Sequence, residues 1–309
     1  MLNDDKLKNM LTSNESLFDY IFVVNQEFDI LPKNKKHYGV SIDYLDLKEL
    51  RKEFLNELID TVADFVYSSE KFNQLKEKSL KKGKSDAAAS SEIIRKAKDK
   101  YRISDNSDEI LIQGQLGELL LFHFIQKFMG AVPLLRKMRI TTSNKHERFG
   151  ADAIHYKREE GKHIIILGEA KTYTSDYKFN EAFCDALESI VKTYNSHLDE
   201  IGMYLHEDFL DKELDEVAEL YLSNKLDSEV HLVSIVVYNE KKNIQLTDKN
   251  NIHEQIVELI AGRYSNFDNS KIDLFEQPIL RRITYIVFPV WNLRELAKDF
   301  GNPQLDRVD

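Results

Sequence analysis

The spacing of apolar residues along the chain predicts an α-rich first part. Between Leu45 and Tyr67 the apolar positions recur at steps of three and four, which is the period of an amphipathic helix. One earlier stretch, residues 19–24, is apolar enough to predict a strand. The run from Ile110 to Met129 is apolar nearly all round, so we expect a buried helix there.

Beyond this run, short apolar segments alternate with helical patterns. The predicted strands are residues 133–141, 151–156, 163–172, 231–238 and 283–290, and the predicted helices are residues 179–198, 203–225 and 252–263, with a short helix after the last strand. The central part therefore reads helix, three strands, helix, strand. This order predicts an α/β protein with a mixed (α+β) sheet.

The charge is distributed unevenly along the chain. The net charge is −10, but residues 71–102 hold 11 Lys or Arg against four acids, a local charge of +7 that leaves −17 on the rest. This basic segment suits a phosphate backbone, and it is equally well explained as a solvated helical linker. Its break at "KKGKSDAAASS" reads as a loop before a second helix, and Lys81, Lys82 and Lys84 there are candidate DNA contacts.

Composition restricts the class of protein. With 309 residues we expect an α-rich N-terminal region, residues 1–105, and a second region, residues 106–309, that carries the central strands and a C-terminal helix–strand–helix addition. A single Cys suits a reducing cytosol, and the polar start and the lack of a long apolar span predict a cytoplasmic protein without signal peptide or membrane contact. No Walker motif and no zinc-type His or Cys spacing occurs.

The stretch "IIILGEAKTY" places an acid and a base at the end of an apolar strand. Alternation along a strand places Glu169 and Lys171 on one face at the end of an apolar run. Two other Glu-x-Lys pairs, at 160/162 and 240/242, lie in turn-like or polar sequence. A Glu-x-Lys pair at a strand end is ordinarily a surface ion pair of little energetic consequence, and that reading stays open at this point.

Two further acids suggest a metal site. Asp152 opens the preceding strand, and a hairpin through "KREEGK" would bring it to Glu169. These two carboxylates and the backbone carbonyl of Ala170 are hard oxygen ligands suited to Mg²⁺ or Mn²⁺. Lys171 beside the ion could hold or polarise an attacking water. Glu118 is the one acid inside the predicted buried helix, where a carboxylate needs a cation or a donor.

The residues near the predicted metal site give weaker indications of function. Tyr173 and Lys178 follow the strand and are possible contacts to a phosphate backbone. His123 reads as a satisfied core histidine. His155 lies three residues after Asp152, so strand alternation turns it away from the proposed site.

Four features follow one another along the chain: a Glu in a buried helix, an Asp on a strand, a Glu-x-Lys pair on the next strand, and then a helix and a further strand. In this order they resemble the PD-(D/E)xK nuclease superfamily, whose core has the order αβββαβ. The resemblance is partial, because "GAD" stands where a Pro-Asp often occurs. The stretches "GQLGELLL", "RFGADAIHY" and "LGEAKTY" resemble more closely the HamA family, the nuclease component of Hachiman anti-phage defence.

That resemblance implies a metal-dependent DNase, kept inactive beside a helicase partner, HamB, and released on sensing phage or damaged DNA. It also implies that Asp152 and Glu169 are metal ligands, that Lys171 is the catalytic lysine and that Glu118 is the helical acid. Two alternatives remain: a catalytically inactive fold of this type that binds nucleic acid or protein, and a restriction or repair nuclease. The complete set of four residues favours an enzyme, and the acidic net charge favours delivery to DNA by a partner.

Overall fold

A computed structural model describes residues 4–12, 15–33, 35–101, 109–135, 151–175, 179–204 and 214–301. The helices are α1 (Asp4–Met10), α2 (Glu15–Phe18), α3 (Arg51–Asp60), α4 (Val62–Val66), α5 (Ser69–Leu80), α6 (Asp86–Tyr101), α7 (Glu109–Met129), α8 (Phe179–Tyr204), α9 (Asp215–Leu222), α10 (Lys249–Ser265), α11 (Asn269–Ile272), α12 (Gln277–Leu280) and α13 (Leu293–Gly301). The strands are β1 (Ile21–Val24), β2 (Tyr38–Ile42), β3 (Tyr44–Leu45), β4 (Lys48–Glu49), β5 (Val132–Leu135), β6 (Ala153–Glu159), β7 (Lys162–Tyr173), β8 (Ser228–Glu240) and β9 (Ile283–Trp291).

Seven of these strands form one mixed sheet in the order β1-β2-β9-β8-β7-β6-β5. Four neighbours, β2, β9, β8 and β7, run parallel. The flanking pairs are antiparallel: β1 on β2 at one side, and β6 on β7 and β5 on β6 at the other. The prediction of an α/β protein with a mixed sheet is therefore confirmed.

Helices cover both faces of the sheet and form two apolar cores. On β7, Ile165 and Leu167 belong to the core that contains the apolar face of α8. The alternate residues Ile164, Ile166 and Ala170 face the other core, which contains most of α7. Because β7 is buried on both faces, its sequence is continuously apolar instead of alternating, as is usual for parallel strands between two helical layers.

The helix predicted from Leu45 to Tyr67 was wrong at its N-terminal end. Residues 44–49 form the small hairpin of β3 and β4, and the helix begins at Arg51. Asp46 and Leu47 between these strands have φ of 49° and 63°, which is left-handed backbone that a helix cannot contain. The helical periodicity continues across this hairpin by coincidence of spacing.

Strand β2 was missed by the sequence analysis, although it lies inside the sheet. It is five residues long and contains Gly39, which weakens any strand signal. The glycine is needed because a Cβ there would lie 2.6 Å from Ile260 of α10. With β1, this strand adds part of the predicted N-terminal region to the common sheet; the division of the chain near residue 105 stays a prediction.

The basic segment forms two helices, α5 and α6, joined by a short turn. Gly83 in that turn has φ of 86°, and the predicted order of loop and second helix is confirmed. Ile93 and Ala97 on α6 are buried in the core shared with α4 and α7. The segment is therefore packed on the body through one side, while Lys81 and Lys82 are exposed at the turn.

The remaining predicted elements agree in position with observed ones. Of the strand predicted at residues 133–141, the described part is β5, and residues 136–141 lie outside the described ranges. Of the helical region predicted at 203–225, α9 is described and residues 205–213 are not. In the described part of the chain, no helix combines the length and the apolar character that crossing a membrane requires.

Candidate active site

A tight hairpin aligns the two strands that carry the predicted acids. Strands β6 and β7 are joined at Glu160 and Gly161, whose φ values of 50° and 81° suit a two-residue turn of the kind that matches strand twist. In the resulting register Ala153 lies opposite Gly168. The predicted hairpin through "KREEGK" is thus confirmed, and it brings the residue before β6 to the C-terminal half of β7.

Asp152 continues the hydrogen-bond ladder beyond the end of β6. Its backbone N–H donates to the carbonyl of Gly168 over 2.9 Å. Its carboxylate Oδ2 accepts the N–H of Ala170 over 2.8 Å. In a strand, the N–H and C=O of one residue point to the same side. The Ala170 carbonyl therefore lies on the same edge of β7 as the Asp152 carboxylate.

Glu169 is buried beneath α8. The residue is 3% exposed, and both carboxylate oxygens accept hydrogen bonds from hydroxyl groups on that helix. Ser189 Oγ donates to Oε2 over 2.8 Å, and Thr193 Oγ1 donates to Oε1 over 2.5 Å. A carboxylate held this way has a fixed orientation, since rotation about its last bond would break both bonds.

Lys171 lies on the same face of β7 as Glu169, as strand alternation predicts. Its Nζ is 3.9 Å from Glu169 Oε2, and its side chain is 31% exposed. This distance is too long for a hydrogen bond, so the ammonium keeps its donors for other partners. Since Glu169 is buried and β7 is an internal strand, the pair is not the surface ion pair that a bare Glu-x-Lys suggests.

The electrostatics of the site are those of a buried acid beside a second acid. Burial, and then the negative charge of Asp152, raise the pKa of Glu169 to about 8. The hydrogen bond from Thr193, the charge of Lys171 and the hydrogen bond from Ser189 act in the opposite direction but do not compensate. Carboxylates that are pushed together in this way favour a cation between them.

The donor set fits a hard divalent cation. Within the described ranges, no group of three His, Cys, Asp or Glu side chains lies together in a way that could hold a metal. The fit rests instead on two carboxylates and the Ala170 carbonyl, and Mg²⁺ commonly takes one or two protein carboxylates and completes its shell with water and phosphate. The mutual repulsion expressed in the pKa of Glu169 agrees with such an ion.

Helix α7 approaches the other face of the same strand closely. A Cβ on Gly117 would lie 2.6 Å from Thr172 Oγ1 and 3.2 Å from Ala170 Cβ, so only glycine allows this packing. Glu118 follows directly on this helix and is half-buried. The structure thus places Glu118 on the helix that covers the face of β7 opposite to α8, and its part in the site stays a prediction.

The predicted DNA contacts differ in their surroundings. Tyr173 is half-buried and donates its hydroxyl hydrogen to Asp185, while Lys178 lies outside the described residues. At the turn of the basic segment, Lys84 is ion-paired with Glu92 at 2.9 Å. Lys81 and Lys82 are exposed.

Both histidines near the site belong to the core. His123 Nε2 lies 2.7 Å from the hydroxyl of Thr61, so the prediction of a satisfied core histidine is confirmed. His155 is buried and its ring lies 5.7 Å from the ring of Phe122 on α7. It therefore faces away from Glu169, as expected.

Two features of the site and its surroundings were missed by the sequence analysis. The hydroxyl residues Ser189 and Thr193 stand four apart on the largely apolar face of α8, which is a detectable signal for a buried acceptor opposite. Glu240, the acid of another Glu-x-Lys pair, is also buried; two nitrogens of Arg263 hold its carboxylate, the shortest contact being 2.8 Å. That pair is therefore structural, since the arginine neutralises the acid.

Comparison with known proteins gives one result. The family model described as HamA matches residues 16–302, nearly the whole chain and including every element of the site. No curated protein matches the chain. The extent of the match shows that the chain belongs to the HamA family.

Proposed function

We propose that this chain is a divalent-metal-dependent DNA endonuclease with little sequence specificity, and that it is the effector of Hachiman anti-phage defence. Membership of the HamA family supports a role in that system. The observation that carries the nuclease proposal is the convergence of Asp152 and Lys171 on the buried Glu169 at the end of an internal strand.

The order of elements around the site supports the same class of enzyme. From α7 to β8 the described elements are a helix, three antiparallel strands, the long helix α8 with the short α9 after it, and a strand parallel to the third. This is the αβββαβ order of the PD-(D/E)xK nucleases. We infer that α7 to β8 are the core of such a fold and that the other strands extend its sheet.

Asp152, Glu169 and the Ala170 carbonyl would hold the cation. A bound Mg²⁺ or Mn²⁺ supplies Lewis-acid stabilisation of charge on a phosphate and makes water a better nucleophile. The chain's own part is to fix these oxygens before the cation arrives. The Ala170 N–H fixes Asp152, and the hydroxyls of α8 fix Glu169.

Lys171 supplies a positive charge beside Glu169 at a distance too long for a hydrogen bond between them. Its Nζ stays 3.9 Å from Glu169 and is partly exposed, so its three donors can reach a water or a phosphate oxygen. Placed there, the ammonium orients the attacking water and stabilises the negative charge that develops on phosphorus-bound oxygens. We assign Glu118 the role of a supporting acid on α7.

The charge distribution favours a protein that is brought to DNA by a partner. Non-specific DNA affinity comes mostly from contacts between cations and phosphates, and a net charge of −10 opposes it. Several lysines of the basic segment are ion-paired with acids of this chain, namely Lys76, Lys84, Lys96 and Lys98. We therefore propose that a helicase partner resembling HamB restrains the nuclease and delivers it to DNA.

The test is cleavage by the full chain purified with its helicase partner. Plasmid DNA, linear DNA and RNA are incubated with Mg²⁺, with Mn²⁺ or with EDTA. We expect DNA to be cut with either metal and spared under EDTA. Lys171→Gln should abolish cleavage, because it removes the ammonium and leaves the fold.

The matched control is Lys242→Gln. Lys242 ends the Glu-x-Lys pair whose acid is neutralised by Arg263, so this variant should cut like the wild type. Cleavage that persists unchanged in EDTA contradicts the metal site. A folded Lys171→Gln that cuts at the wild-type rate contradicts the assignment of the lysine. Binding of DNA without cleavage under every condition would favour the inactive binding module.

A further inference from the structure

We infer that Ser189 and Thr193 are positioning residues for the metal site, acting through Glu169. This inference rests on the proposed function. Each of the two hydroxyls donates a hydrogen bond to one oxygen of the Glu169 carboxylate, and both come from one helix at a spacing of four. Neither residue is among the four from which the sequence predicts the site, which are Glu118, Asp152, Glu169 and Lys171.

A polar stripe on helix α8 contacts the site strand beside the apolar residues that pack on it. Asp185, Ser189 and Thr193 recur every four residues, so they lie one above the other on the helix surface. Asp185 accepts the hydroxyl hydrogen of Tyr173, and the other two donate to Glu169. The helix thus contacts β7 at the residues before and after Lys171 on the same face.

The hydrogen bonds leave room for a cation. Each carboxylate oxygen has two lone-pair positions, and one hydroxyl on each oxygen leaves the second position open. The hydroxyls therefore set the direction of the carboxylate without filling its coordination capacity. Residues that hold a metal ligand in place in this manner typically contribute about 10- to 100-fold to metal affinity.

The two hydroxyls differ in burial, so their removal should weaken metal binding by different amounts. Thr193 is 4% exposed, so no bulk water can take its place when its hydroxyl is removed. Ser189 is half-buried, and water can partly replace it. We therefore expect the larger loss from Thr193→Val, which keeps the shape of the side chain, and a smaller loss from Ser189→Ala.

The experiment measures Mn²⁺ binding to the full chain by isothermal titration calorimetry, without DNA. Thr193→Val should bind Mn²⁺ about 10- to 100-fold more weakly than the wild type. Thr193→Ser keeps the hydroxyl and should restore affinity. Thr61→Val removes another buried hydroxyl, one that contacts His123 on α7, the helix on the face of β7 opposite to Glu169, and should leave Mn²⁺ affinity unchanged.

The outcomes separate this inference from the proposed function. If the wild type binds Mn²⁺ and a folded Thr193→Val binds it equally well, positioning by α8 is wrong while the nuclease proposal stands. If the wild type binds no Mn²⁺, the proposed metal site fails and the positioning role fails with it. Should circular dichroism show that Thr193→Val does not fold, Ser189→Ala decides: unchanged Mn²⁺ affinity overturns the inference.

Discussion

Glu169→Gln should change how the stability of the metal-free protein depends on pH. Burial and the charge of Asp152 raise the pKa of Glu169 to about 8 from an ordinary value of 4.5. Between these two values the folded protein binds a proton that the unfolded chain has released. The glutamine side chain resembles the protonated acid in shape and in its ability to meet the α8 hydroxyls, and it does not titrate.

Proton linkage gives the direction in which the free energy of unfolding changes with pH. Because the folded state binds more protons than the unfolded state, the free energy of unfolding falls as pH rises from 4.5 to about 8 and is level on either side. At about 1.36 kcal/mol for each pH unit, the difference between the two pKa values sets a ceiling of roughly 5 kcal/mol. From about pH 5 to about pH 8.5 the expected loss is roughly 4 kcal/mol.

The assay is urea unfolding in EDTA over that pH range, with the wild type and Glu169→Gln measured side by side. The variant should match the wild type near pH 5 and be more stable by several kcal/mol above pH 8. Glu258→Gln, an exposed change on α10, is the control and should follow the wild type at every pH. If the Glu169→Gln and wild-type curves stay parallel, the carboxyl is ionised in the folded protein and the reasoning is refuted.

Three further predictions concern packing, charge and the cation. Gly117→Ala should lower the free energy of unfolding, measured in the same urea titration, by about 1–3 kcal/mol, because the added Cβ meets Thr172. Gly114→Ala on the same helix, where the added Cβ meets no atom, should be neutral or stabilising by up to about 1 kcal/mol. Combining Lys81→Glu with Lys82→Glu should weaken DNA binding and reduce the log–log salt slope by about 2, measured by fluorescence anisotropy; an unchanged slope would identify the turn as solvated linker. Finally, Mn²⁺ should raise the melting temperature more at about pH 8 than at about pH 6, because the ion competes with the proton on Glu169; an equal rise at both pH values would speak against that carboxylate as a ligand.

Local sequence was sufficient for the strands that carry the site. The apolar run of β7 has no alternation because both faces are covered, and the Glu160–Gly161 turn specifies a two-residue hairpin with little freedom of register. Strand alternation then places Glu169 and Lys171 on one face. The convergence with Asp152 therefore follows from short-range rules alone.

Long-range contacts account for what the sequence did not reveal. Strand β2 owes its place to pairing with β9 and to α10 packing on Gly39, neither of which is visible in five residues. The burial of Glu240 depends on Arg263, a residue 23 positions later. The orientation of α8, which aims Ser189 and Thr193 at Glu169, is likewise set by the packing of a whole helix on the sheet.

The pairing of β2 with β9 has a consequence for biosynthesis. Tyr38 lies beside Ile286, so β2 leaves the ribosome long before β9, the strand that joins it to the other parallel strands. Contacts of such large sequence separation form late and slowly. Until then β9's neighbour β8 has an open edge, and the layer under α10 is incomplete. The site strands therefore exist for some time before the sheet that supports them is closed.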